Sequence, residues 1–257
     1  MSKKIFVIPD TQVKAGVKLD HLTWAGQYAA AKKPDVIVQI GDFADMPSLS
    51  SYDVGKKSFE GRRYTTDIEV AHKAMEMFLA PIVAEQERMK RTKEKVWKPR
   101  LVLTYGNHEQ RIVKAVEADP KLEGVLSLDD LGYKKYGWEV YPFLEPVKIC
   151  DVMFNHYFPT GVMGRPTSTA RALLIKMHMS CVGGHLPGLR FERDARADGR
   201  QITSVICGSF YQHTEDYMSP IVNRQHWHGI VVLHGVQDGE FDIMPVSMNY
   251  LKHKYGK

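Results

Sequence analysis

VIVQIGDFAD, residues 36–45, carries an apolar, β-branched run from Val36 to Ile40 straight into a glycine and two carboxylates, Asp42 and Asp45. β-Branched residues favour strands and Gly–Asp favours a turn, so the stretch reads as a core strand ending in a polar loop. The same arrangement occurs on either side of it. Ile5 to Ile8 stops at Pro9–Asp10, and Leu101 to Thr104 stops at Gly106–Asn107. Between these runs the apolar spacing predicts helices. One covers Leu19 to Ala31 and is closed by Pro34; a long one runs from Asp67 to about Lys95, with Pro81 expected to kink or break it. Strand, helix, strand, helix, strand is the order of a largely parallel sheet with helices packed on its faces.

The second half of the chain is richer in strands and tight turns. Val147 to Asn155 and Met179 to Val182 read as strands, with a helix from about Ser168 to Met177 between them. Phe191 to Gly208 reads as a hairpin around Ala197–Asp198–Gly199, and Gly229 to Val246 as another around Gln237–Asp238–Gly239. Together they predict a second, more antiparallel sheet stacked on the first. A length of 257 residues fits one α/β domain over residues 1–257.

Hydrophobic residues make up 44% of the chain and charged residues 25%, which supports a sizeable core. No apolar run approaches the roughly 18 residues that cross a bilayer, and the apolar run at the start is too short for a signal peptide. The expectation is a cytoplasmic protein with no membrane partner. Cys150, Cys181 and Cys207 sit in apolar, strand-like contexts without CxxC spacing, so they read as buried small hydrophobes rather than disulfides or zinc ligands.

The net charge of +5 favours anionic partners. Cations concentrate at Arg88, Lys90, Arg91, Lys93, Lys95, Lys98 and Arg100, with Glu94 the acid among them. That run fits a solvated helix end or a contact to a nucleic-acid backbone. Residues 46–64 interleave Tyr52, Lys56, Lys57, Phe59, Arg62, Arg63 and Tyr64. This suits single-stranded nucleic acid, with rings stacking bases and cations following phosphates, and it also suits an ordinary surface loop.

The polar clusters at the strand ends carry the chemistry. In open α/β sheets the carboxyl ends of the strands form the ligand crevice, so Asp10–Thr11–Gln12, Gly41 to Asp45 and Gly106–Asn107–His108–Glu109 should converge there. Asn155–His156 and Gly183–Gly184–His185 also follow strand-like runs. Asp, Asn and His together supply oxygen and nitrogen donors that suit Mn²⁺, Fe, Zn²⁺ or Mg²⁺. Taken singly, Asp10 and Asp42 would serve equally as helix caps; beside an intact GNHE the ligand reading prevails.

These five clusters, in this order, resemble the calcineurin-like metallophosphoesterases, which carry a DxH, a GDxxD, a GNHD or GNHE, an isolated His and a GHxH. The resemblance also extends to compact members encoded by bacteriophages and described as DNA-repair exonucleases, which would place the protein in a host cytoplasm. It implies a four-layer αββα sandwich of two mixed β-sheets flanked by helices. It further implies two divalent cations that share Asp42, one also held by Asp10 and the other by Asn107, His156 and His185. His108 would contact the phosphate, help bind it with Asn107, and protonate the leaving oxygen. Asp45 would orient the His108 ring, and a water activated by the cations would attack phosphorus. Arg111, opening the following helix, would either contact phosphate or face solvent. The implied function is hydrolysis of phosphate esters, phosphodiesters such as single-stranded or duplex DNA before small phosphomonoesters or nucleotides, with a non-catalytic metal-binding scaffold as a further alternative.

Two positions depart from the family pattern. Gln12 stands where DxH has its His, and Pro187 where GHxH has its last His. Both losses fall on the cation held by Asp10, leaving Asp10, Asp42 and the Gln12 carbonyl oxygen. The expectation is one tight and one weak site, the oxygen-rich weak one favouring Mn²⁺ or Mg²⁺. His21 and His213 are candidates to replace the missing imidazoles, while His226 and His228 read as rim or structural residues.

Overall fold

The computed structural model describes residues 2–214 and 219–256. Along the chain the elements are β1 (Lys3–Ile8), α1 (Asp20–Lys32), β2 (Val36–Gln39), α2 (Tyr64–Arg91), β3 (Arg100–Thr104), α3 (Gln110–Ala118), β4 (Glu139–Tyr141), β5 (Val147–Ile149) and β6 (Val152–Asn155). They continue with α4 (Ala170–Met177), β7 (Cys181–Gly183), β8 (Leu189–Ala195), β9 (Gln201–Cys207), α5 (Pro220–Arg224), β10 (Gly229–Gln237), β11 (Glu240–Ser247) and α6 (Met248–Tyr255). The strands form two mixed sheets, ordered β11-β10-β1-β2-β3-β4 and β5-β6-β7-β9-β8. With helices outside both, this is the αββα sandwich.

Three apolar clusters fill the three interfaces between the four layers. Along β1 the side chains alternate between faces. Ile5 and Val7 join Val36, Val38, Phe154, Val182 and Val205 between the sheets, while Phe6 and Ile8 join Leu22, Ala25, Phe78 and Leu251 under α1, α2 and α6. Leu173 of α4 covers Cys181 and Ile206 on the outer face of the second sheet. A strand buried on both faces has no solvent side, which is why β1 and β2 read as unbroken apolar runs. No helix among the described residues is long and apolar enough to cross a membrane.

The structure corrects five expectations. The α2 helix runs through Pro81 without a break. Its buried face, Ala71, Ala74, Met75, Phe78 and Ile82, continues across the proline, and packing on both sides offsets the roughly 3 kcal/mol that an interior proline costs. Val147 to Asn155 is a hairpin rather than one strand, turning at Cys150 (φ 49°) and Asp151 (φ 61°). Two left-handed residues in succession make the tight turn that hairpins favour, and no Asn–Gly advertises it. Cys150 is consequently half-buried in a turn, whereas Cys181 and Cys207 are buried, and all three are free thiols.

The Gly229–Val246 hairpin joins the first sheet, not the second, because β10 pairs antiparallel with β1. Ile230 and Val232 enter the helix-side core while Val231 and Leu233 enter the inter-sheet core, so β10 is an interior strand. The second sheet is parallel at its centre, β6-β7-β9, and antiparallel only at its edges, β5 and β8.

α1 crosses α2 at Gly26, where an added Cβ would lie 2.1 Å from the Phe78 carbonyl oxygen and 3.1 Å from Pro81 Cγ. Gly26→Ala is therefore expected to destabilise the fold by about 1–3 kcal/mol, the usual cost of overpacking. Thermal unfolding followed by circular dichroism reads this as a lowered midpoint; an unaltered midpoint would mean the two helices do not meet this closely.

Candidate metal centre

The carboxyl ends of β1, β2 and β3 from one sheet meet those of β6 and β7 from the other. Asp10, Asp42, Asn107, His156 and His185 come together at that seam. Asn107 Oδ1 lies 3.0 Å from His156 Nε2 and 2.8 Å from His185 Nδ1. His156 Nε2 lies 3.3 Å from Asp42 Oδ2 and 3.3 Å from His185 Nδ1. The donor atoms of Asp42, His156 and His185 are all within 4.8 Å of one another, a spread that one cation can span. His156 is fully buried, and its Nδ1–H donates to the Ile40 carbonyl at 3.0 Å, which aims Nε2 at the group. Such a bond behind a ring is how ligating histidines are oriented.

The backbone is shaped around these atoms. Asp42 and His185 have positive φ, 51° and 66°, so each side chain turns back over the strand end. A Cβ at Gly106 would come within 2.1 Å of Asp42 Oδ1, so only glycine admits that carboxylate. Asp42 Oδ1 accepts the His108 backbone N–H at 2.9 Å, and Asp10 Oδ1 accepts that of His185 at 3.0 Å.

Glu109, the last residue of GNHE, has a role that sequence reasoning missed. It is fully buried. One oxygen accepts the N–H groups of Asp42 (3.0 Å) and Gly106 (2.9 Å), and the other that of Ala44 (3.0 Å). Its carboxylate thereby ties the loop after β2 to the loop after β3. The signal available in sequence was only that an acid completes the quartet.

His108 stands beside the donor group. Its Nδ1 is 2.6 Å from Asp45 Oδ1, and its Nε2 is 3.6 Å from Asp42 Oδ2. Asp45 also takes Lys14 Nζ on Oδ2 at 2.9 Å and Arg111 Nη1 on its carbonyl at 2.7 Å. Arg111 Nη2 is 3.5 Å from His108 Nε2, so Arg111 reaches the cluster from α3 with one nitrogen engaged by Asp45.

Charge follows this geometry. Burial pushes the Asp45 carboxyl up, but His108, Lys14 and Arg111 outweigh it and hold the group ionised well below the usual range. Burial lowers His108, but Asp42 and then Asp45 outweigh it and raise the ring above its ordinary value. Burial likewise opposes charge on His156, yet Asp42 and Asp10 lift it to about 9. Asp42 is held low by His108 and His156 against its own burial. Asp10 is pushed up to about 7, chiefly by burial. Burial and then the charge on His156 lower His185 to about 4.

Gln12 sits at φ 42°, and its side-chain Oε1 is buried with no hydrogen-bond partner among the described residues. An acceptor in that state fits a cation ligand and poorly fits a plain structural amide. Pro187 is used otherwise: its carbonyl accepts the Trp227 N–H at 2.9 Å. His21 and His213 are not part of the Asp42–His156–His185 group. They lie in a second histidine cluster with His228. Tyr211 stacks on His213 at 4.6 Å between centroids and meets His228 at 4.9 Å, and His21 packs edge-on against Phe210 at 5.0 Å. His226 bonds Tyr211 and His228 bonds Ser209.

Part of each cationic stretch is paired within the chain. Arg88 bonds Glu85 and Glu94, Lys90 bonds Glu87, and Arg100 bonds Glu139. In the loop after β2, Arg62 and Lys56 both pair with Asp53, while Tyr52 is exposed.

No protein-family model matches the chain, and no curated protein matches it. Among solved structures, it is similar to a dimetal phosphatase from Danio rerio, with a TM-score of 0.43 and 12% identity over 95% of this chain and 96% of that one. A second solved chain has a TM-score of 0.37 and 9% identity over 96% of this chain and 100% of that one. Likeness of this degree carries no activity from either protein to this chain.

Glu109→Gln replaces an acceptor by an amide whose NH₂ must face a backbone N–H. It is expected to destabilise the fold by roughly 1–3 kcal/mol and to weaken Mn²⁺ binding, read by thermal unfolding and calorimetric titration. His21 yields a pH dependence. Burial, then His213 and His228, lower it to about 3 from an ordinary 6.5. The unfolded chain then takes up this proton first, so stability should be lost as pH falls from about 6.5 towards 3. In His21→Gln that part of the slope should vanish from denaturant unfolding measured across this window; an identical slope would contradict the assignment.

Proposed function

We propose that the crevice binds divalent cations and hydrolyses phosphate esters, with His108 as proton donor to the leaving oxygen. The observation that carries this reading is the meeting of a four-donor group, Asp42, Asn107, His156 and His185, with an imidazole raised in pKa and held by a carboxylate at its edge. A structural polar network has little reason to aim a charged ring at a cluster of ligand atoms. An acid–base centre does.

Asp42, Asn107, His156 and His185 would hold the tighter cation, and Asp10, Gln12 and Asp42 the weaker. Mn²⁺ suits the mixed oxygen and nitrogen set, and Mg²⁺ the oxygen-rich second position. When bound, such cations supply Lewis acidity, offsetting phosphoryl charge and acidifying a water. The chain does the rest. A water oxygen bonds to phosphorus and its proton leaves to solvent, the bond from phosphorus to the leaving oxygen breaks, and the His108 Nε2 proton passes to that oxygen. Asp45 keeps the ring oriented and charged through Nδ1. Arg111 offers its second guanidinium nitrogen to a phosphoryl oxygen, and Asn107 its amide N–H.

Phosphodiesters, single-stranded or duplex DNA among them, are the proposed substrates ahead of phosphomonoesters. Net charge and the aromatic rings of the loop after β2 support that order. Assays with Mn²⁺ on 4-nitrophenyl phosphate, bis(4-nitrophenyl) phosphate and labelled single-stranded DNA separate the classes. His108→Asn should lower turnover by about 10²–10⁴-fold, the usual contribution of a general acid, while Mn²⁺ affinity stays. Undiminished turnover would remove His108 from the mechanism. Tight cation binding with no hydrolysis of any ester would make the site a binding module. Calorimetry should show one tight and one weak Mn²⁺ per chain, and Gln12→His should tighten the weak one.

A further inference from the structure

One flank of the crevice is aromatic. Tyr157 follows His156 at the end of β6, and its ring centroid lies 4.9 Å from that of His185 and 5.8 Å from that of His156. Phe143, just past the end of β4, stands 5.6 Å from Tyr157 at an interplanar angle of 77° and 6.5 Å from His156. Since β4 and β6 belong to different sheets, the two rings bridge the seam of the sandwich. They do so beside two residues of the complete ligand set, His156 and His185. Both rings are half-buried; each meets an imidazole of the ligand set, and Phe143 also packs against the helix-side core.

Packing alone would explain rings that are wholly covered. Rings that stay partly open next to a phosphate-binding group offer a π-surface to whatever the phosphate is attached to. A nucleoside carries its base one ribose away from the phosphate, and the Tyr157 ring lies 4.9 Å from that of His185. Flat heterocycles stack on such faces with little preference among bases.

We propose that Phe143 and Tyr157 form a stacking subsite for the base of a nucleoside phosphate ester, so that nucleoside phosphodiesters are preferred to simple alkyl ones. The proposal rests on the reading of the centre as a phosphoesterase. Two esters with the same leaving group test it: thymidine 5′-(4-nitrophenyl phosphate) and methyl 4-nitrophenyl phosphate. With Mn²⁺ the wild-type protein should show kcat/KM at least about fivefold higher for the thymidine ester, the lower end of what stacking contributes. Tyr157→Leu keeps bulk without a π-face and should bring the ratio towards one; Tyr157→Phe should retain it, and Phe143→Leu should lower it. A wild-type ratio near one, or a ratio unmoved in Tyr157→Leu because both rates fall together, would overturn the subsite and leave Tyr157 as packing for the histidines. Calorimetry of the Mn²⁺-loaded protein with thymidine 5′-phosphate and with methyl phosphate gives a second readout. The thymidine ligand should bind at least about fivefold tighter, and only while a ring stands at 157. If neither ester is hydrolysed, the phosphoesterase reading fails by itself, and equal affinities would then end the subsite as well.

Discussion

Three backbone N–H groups, those of Asp42, Ala44 and Gly106, share the buried carboxylate of Glu109, and the arrangement of the crevice depends on it. A chain leaving the end of a parallel strand has no ladder partner, so its N–H groups must find acceptors elsewhere or be buried at a cost. Glu109 accepts from two such loops at once and thereby fixes one against the other. Asp42, on the first loop, then takes the His108 N–H from the second. The donor atoms are positioned by bonds among the loops themselves, and no regular element is required to reach the site.

The same seam gathers four buried acids, Asp10, Asp42, Asp45 and Glu109, which is expensive in a low-dielectric interior. The protein treats them differently. Glu109 accepts backbone N–H groups; Asp45 is surrounded by His108, Lys14 and Arg111; Asp42 is flanked by His108 and His156. Asp10 is pushed up to about 7. Asp42 and Asp10 also lie on either side of the buried His156 ring, at 3.3 Å and 3.9 Å from its nitrogens.

The two ends of the crevice are unlike. At the end formed by β4 and β6, the aromatic rings of Phe143 and Tyr157 lie against the imidazoles. At the end formed by β9 and β10, Pro187 uses its carbonyl to hold Trp227, and the flanking His226 and His228 bond Tyr211 and Ser209. The position where a GHxH would end in an imidazole therefore serves as an anchor for the rim.

Local chemistry was legible in the sequence wherever it acts within a few residues. β-Branched runs stopping at Gly–Asp or Gly–Asn gave the strands and the order of the polar clusters, because strand preference and turn formation are decided by neighbouring residues. Those clusters are the ones the fold brings together. What needed tertiary structure depends on partners far apart in the chain. Pro81 stays inside a helix because α1 packs against it, the Gly229–Val246 hairpin extends the first sheet because both faces of β10 are buried there, and Cys150–Asp151 turns tightly with no glycine. The work of Glu109, two of whose three partners lie 65 and 67 residues away, and the aromatic flank beside His156 and His185 have no signature in local spacing. Each exists only once two sheets have met.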